Sequence, residues 1–116
     1  MTNLIWTGMA LLTLATAAIS APRADATVSI KTFKFRPDTV LVRTGVAVTW
    51  TNDDEIEHTV TSDSAGPSRA KLDGALNGKG ATYRASFTKP GVYAYHCDRH
   101  QFMRGVVRVT SPGEQP

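Results

Sequence analysis

Downstream of residue 26 the apolar positions recur every second residue almost without a break, and no stretch carries the stripe of an amphipathic helix. Val28 and Ile30 alternate with Ser29 and Lys31, and Phe33 and Phe35 alternate with Lys34 and Arg36. Thr39–Arg43 is a β-branched run. Gly45 then turns the chain into 46–52, where Val46, Val48 and Trp50 share one face. A brief strand at 58–61 puts His58 on the side of Val60. Along 81–88, Ala81, Tyr83, Ala85 and Phe87 face one way and Thr82, Arg84, Ser86 and Thr88 the other. Lys89-Pro90-Gly91 reads as a turn. Tyr93, Tyr95 and Cys97 share a face of the next strand, and 105–110 supplies the last. The glycine-punctured stretch 63–80 reads as loop, with one helical turn near Ala70-Lys71-Leu72. The pattern predicts an all-β fold, a small β-sandwich of about seven to eight strands.

The first 26 residues differ in kind. No charged side chain occurs from Met1 to Pro22, and 4–19 is nearly continuous in apolar or small residues before Ala24-Asp25-Ala26. This predicts a cleaved export signal over 1–26, a domain over 27–110 and a flexible polar tail over 111–116. The competing reading is an uncleaved anchor, since the run approaches the roughly 17–25 residues that span a bilayer. Thr, Gly and Ser interrupt it and a small-x-small site follows, so cleavage is preferred. The destination is the periplasm, or otherwise outside the cytoplasm, with no membrane span after cleavage.

Composition narrows the function. In 116 residues, 41% are apolar and 20% charged, an ordinary globular balance. A net charge of +3, scattered along the chain, is too weak for a nucleic-acid binder. One cysteine rules out an intramolecular disulfide framework and a Cys-rich zinc module.

That cysteine has company. Cys97, His100 and Met103 follow one another at intervals of three, where one predicted strand ends and the next begins. His58, at the start of another strand, adds a second imidazole. Two imidazoles, a thiolate and a distant thioether form the donor set of a blue-copper electron-transfer site. Each residue also has an ordinary reading. Cys97 could be a small buried hydrophobe, Met103 and Phe102 core, and His58 a satisfied strand-end histidine. Zinc is a weaker rival, because thioether is not among its usual donors.

Two segments together, VTWTNDDEIEHTV and FTKPGVYAYHCDRHQFMRGVVRV, resemble the cupredoxins of the plastocyanin group, the type 1 blue copper proteins. The two-residue spacers between Cys97, His100 and Met103 are similar to the short ligand loop of the amicyanins. The resemblance implies a Greek-key sandwich of near-eight strands and one type 1 copper ion on His58, Cys97, His100 and Met103. It departs at Thr59, where the family often has Asn, and at Asp98, Arg99 and Gln101 within the loop. Asn52, Thr59 and Asp98 are therefore the expected bracing residues around the ligands. His96 falls on the opposite side of its strand from Cys97 and is read as structural.

Four protein donors leave no open position for a substrate, so the expectation is a single-electron shuttle rather than an enzyme. The resemblance puts the electron port at His100, with Phe102 as the aromatic of its apolar rim. Arg99 and Arg104 would steer transient redox-protein partners, donor and acceptor, to a monomer. Asp53, Asp54, Glu55 and Glu57 read as a solvated acidic loop or a second docking patch. The alternative function is a periplasmic Cu(I) carrier or store. A metal-free interaction domain ranks last, since it leaves the ligand spacing to chance.

Overall fold

The computed structural model describes Gly8, Ala10 and residues 25–63 and 72–111. Most of the predicted signal, the helical turn near 70–72 apart from Leu72, and the tail beyond Ser111 lie outside these residues. Among the described residues there is no helix, and hence none long and apolar enough to cross a membrane.

Nine strands form among the described residues: β1 (Ala26–Lys31), β2 (Lys34–Arg36), β3 (Thr39–Arg43), β4 (Ala47–Asn52), β5 (His58–Ser62), β6 (Asp73–Leu76), β7 (Thr82–Ser86), β8 (Gly91–His96) and β9 (Arg104–Thr110). They make two sheets, one ordered β2-β1-β4-β7 and the other β3-β9-β8-β5-β6. The pairs β1–β4 and β3–β9 are parallel and the rest antiparallel, so the chain repeatedly crosses between layers. The all-β sandwich expected from the period-two pattern is what forms.

The alternation translates directly into burial. Val28, Ile30, Val48, Trp50, Val60, Phe87, Tyr95 and Val107 point between the sheets and are fully or almost fully buried. Each aliphatic or phenylalanine side chain among them contributes about 1.5–3 kcal/mol by leaving water. Rings fill the centre: Tyr95 stands edge-on to Phe35 at 4.8 Å and to Trp50 at 5.5 Å. Burial pushes the Tyr95 hydroxyl up to about 12, the neighbouring Trp50 offsetting only part of the rise. Gly105 is required beneath this ring, because a Cβ there would stand 2.3 Å from Tyr95 Cζ.

Two expectations need correction. Residues 73–76 are strand β6, not loop. The alternation is present, with Leu72, Gly74 and Leu76 inward, but its middle member is a glycine. The Tyr83 ring occupies the space where a side chain would be, 2.3 Å from the position of a Cβ. Phe33, read as a strand position alternating with Phe35, lies instead in the β1–β2 turn. Thr32 and Phe33 both adopt left-handed backbone there, with φ of 54° and 56°.

Candidate metal centre

The β4–β5 loop, the β8–β9 loop and the β1–β2 turn meet at one end of the sandwich. His58 opens β5 with its side chain inward beside Val60 and is fully buried. Its Nε2 stands 2.8 Å from Asp54 Oδ2. An ionised carboxylate can only accept, so Nε2 carries the proton and Nδ1 keeps its lone pair. Burial alone would push the Asp54 carboxyl up. The Phe33 and Thr32 amides and the His58 ring outweigh it and hold the group below its ordinary 3.8.

Across the site, Cys97 continues the inward face of β8 and is a fully buried free thiol. Its Sγ faces His58 Nδ1 at 3.8 Å and accepts the Thr59 N–H at 3.4 Å. The loop after it is tightly wound: Cys97 N–H donates to the Met103 carbonyl at 3.1 Å and Met103 N–H to the His100 carbonyl at 2.8 Å. Met103 is thereby carried back into the core and is buried. His100 stays half-buried, its ring edge-on to Phe33 at 5.0 Å and to His58 at 5.6 Å.

The three expected bracing residues all tie these loops together. Asn52, fully buried at the end of β4, donates from Nδ2 to the Ile56 and Leu76 carbonyls at 2.7 and 3.2 Å. Its Oδ1 accepts the Asp54 N–H at 2.9 Å. Thr59 serves both sides, its amide on the sulfur and its Oγ1 accepting the Asp98 N–H at 2.8 Å. Asp98 Oδ1 in turn lies 3.2 Å from His96 Nε2, and His96 Nδ1 lies 2.6 Å from Asp63 Oδ1. His96 thus points outward from the sheet, away from Cys97.

Among the described residues no three His, Cys, Asp or Glu side chains close on a common point. The fold brings His58 and Cys97 together, with His100 and Met103 beside them. The donor pair fits copper. An imidazole nitrogen and a thiolate suit copper, and at 3.8 Å apart the two are near enough for one ion to meet both. His100, whose ring packs on Phe33, lies beside this pair.

Around this centre the surface is apolar, then charged. Phe102 is 72% exposed and Phe33 39%. The two arginines expected to make a positive rim each have a carboxylate: Arg99 pairs with Glu57 at 3.1 Å and Arg104 with Asp63 at 3.5 Å. Nor is the acidic run 53–57 merely solvated. Asp53 accepts from Ser29, Asp54 holds His58, Glu55 pairs with Lys79 and Glu57 with Arg99. Sequence reasoning missed Asp54 and Phe33 as site residues. The only signal for Asp54 is its place four residues before His58, and nothing in the pattern marks Phe33 as leaving its strand.

Comparison with known proteins bears on this geometry. Residues 22–110 match the family of copper binding proteins described as plastocyanin/azurin. Amicyanin-alpha of Methylorubrum extorquens is 36% identical over 89 residues, covering 77% of this chain and 75% of that protein. Among solved structures, a reduced amicyanin variant superposes with a TM-score of 0.68 at 34% identity, over 78% of this chain and 87% of its own. A purple cupredoxin from Nitrosopumilus maritimus gives 0.65 at 28% identity, over 74% of this chain and all of the other.

Proposed function

Because the chain belongs to the plastocyanin/azurin family of copper-binding proteins, the cupredoxins, we propose that it is an exported single-electron shuttle holding its type 1 copper with His58, Cys97, His100 and Met103. The bound copper supplies a Cu(II)/Cu(I) couple, and every other task falls to the chain. The reading rests above all on one observation, the buried His58 Nδ1 facing the buried Cys97 Sγ at 3.8 Å.

Each neighbour has a task in this reading. Asp54 keeps Nδ1 of His58 available as a ligand atom by accepting a hydrogen bond from Nε2–H, which holds the proton on that far nitrogen. The Thr59 amide lends a hydrogen bond to the thiolate, which draws charge from the sulfur and raises the potential. Asn52 and the Thr59–Asp98 bond hold the two ligand loops at fixed separation. Fixed loops keep reorganisation small when one electron moves. Met103, buried under the loop, offers a soft sulfur and excludes water. Four protein donors leave no place for a substrate, so the protein carries electrons and is not an enzyme. The His100 ring, beside exposed Phe102, is the exit.

The partners are redox proteins met transiently through a small interface, with Phe102 at its centre and Arg99 and Arg104 at its rim. The working protein is a monomer, made with residues 1–26 as export signal, 27–110 as the copper domain and 111–116 as a flexible tail. Repeated cycling separates a shuttle from a carrier. The copper-loaded protein is reduced with ascorbate and reoxidised with hexacyanoferrate(III) in the presence of a Cu(I) chelator. A shuttle keeps its copper and its colour over many cycles. Loss of the metal to the chelator at the first reduction contradicts the shuttle and supports Cu(I) carriage.

A further inference from the structure

The β1–β2 turn carries none of the four proposed copper ligands, yet its backbone is strained at the edge of the site. Left-handed φ at Thr32 and Phe33 is costly for a β-branched and a bulky residue. What holds the turn is Asp54, which lies 21 and 22 positions further along the chain. Oδ1 accepts the Thr32 N–H at 2.8 Å and Oδ2 the Phe33 N–H at 3.0 Å. The same Oδ2 accepts the His58 Nε2–H at 2.8 Å. The strained turn lays the Phe33 ring edge-on over His58 at 5.6 Å and His100 at 5.0 Å. Phe33 also lines a groove of about 230 Å³ with Phe102 and Met103.

We infer that Asp54 is a positioning residue that ties the copper ligand His58 to the Phe33 turn, so that loading the metal also orders the aromatic wall over the site. This rests on His58 being a ligand. One carboxylate serves three donors, so its place is fixed only while all three are. A metal on Nδ1 immobilises the His58 ring, the ring immobilises Asp54, and Asp54 immobilises the two strained amides. By linkage the coupling is reciprocal: an ordered turn favours metal binding as much as metal binding favours the ordered turn. Asparagine at 54 keeps the shape but replaces one acceptor by an NH₂ group. It cannot serve all three donors, and it no longer dictates which His58 nitrogen carries the proton.

The test is amide hydrogen exchange by NMR at Thr32 and Phe33, on copper-free and Cu(I)-loaded protein, for the wild type and Asp54→Asn. Val107 at the centre of β9 serves as the reference for folding. In the wild type, loading slows exchange at both turn amides by about fivefold or more relative to Val107. In Asp54→Asn that copper-dependent difference disappears, and copper affinity falls about 10- to 100-fold. Equal exchange with and without copper in the wild type overturns the proposal, and so does a variant that keeps the difference. If the protein takes up no copper, the functional reading fails by itself. The tie is then judged on copper-free protein, where faster exchange of both turn amides in Asp54→Asn supports it and unchanged rates overturn it.

Discussion

Replacing Asn52 by alanine removes a polar side chain that joins the end of β4, the loop leading to His58 and the end of β6. Three hydrogen bonds go with it: Nδ2 to the Ile56 and Leu76 carbonyls, and the Asp54 N–H to Oδ1. Ile56 is exposed, so water can reach its loop and replace the bonds there, each worth about 0.5–1.5 kcal/mol net. The bond to Leu76, a fully buried residue, lies in the interior, but that carbonyl keeps the Gly78 N–H at 3.2 Å, so this loss too costs about 0.5–1.5 kcal/mol net. The expected total is about 3 kcal/mol, and in a domain of this size that lowers Tm by about 12–24 °C. The assay is thermal and urea unfolding of the copper-free protein, because bound metal would mask the loss by mass action. Copper affinity should fall as well, since the loop that delivers His58 is loosened. A Tm decrease below about 4 °C would mean that Asn52 is not the joint described.

Other consequences follow from the same coordinates. Gly74→Ala forces a Cβ to 2.3 Å from the anchored Cγ of Tyr83 and should destabilise by about 1–3 kcal/mol or more in urea unfolding; a neutral result would show that β6 can move off β7. Lys34 lines the groove beside Phe33 and Phe102 and has no ion-pair partner among the described residues, whereas Arg99 has Glu57 at 3.1 Å. Lys34→Glu should therefore slow oxidation by hexacyanoferrate(III) at low salt more than Arg99→Glu, with both effects fading as salt rises; the reverse order would restore Arg99 as the main steering charge. The Asp54 carboxyl is held below its ordinary 3.8 in the folded protein, so the stability it lends is complete above that value and lost as pH falls through the lower folded value. In the copper-free protein, exchange at the Thr32 and Phe33 amides, corrected for its intrinsic pH dependence, should stay flat from neutral pH to above 3.8 and rise only below it; a rise nearer neutral pH would contradict the depressed value.

The sheets were legible because each buries one face, and a period of two can then be read straight from residues such as Val28, Ile30, Val48 and Trp50. What was hidden has physical causes. Strand β6 escaped because its inward position is filled by the Tyr83 ring rather than by its own side chain, so Gly74 reads as a breaker. Phe33 escaped because left-handed backbone at Thr32 and Phe33 is imposed from far along the chain by Asp54, and no local propensity announces it. The acidic run looked solvated because charge in sequence does not reveal pairing in space; each of its four carboxylates has a partner. The same holds for Arg99 and Arg104, free cations in the sequence and ion-paired in the fold. The buried pair His58 and Cys97 was easier, since strand parity turned both inward at one end of the sandwich.

The central claim is that Cys97 binds copper as a thiolate next to His58. It is tested most directly by the visible absorption spectrum of residues 27–116 with one equivalent of Cu(II), recorded beside Cys97→Ser. An intense thiolate-to-copper charge-transfer band in the wild type, bleached by reductant, restored by oxidant and absent from the variant, is the predicted result. Copper bound without that band, or not bound at all, would contradict it.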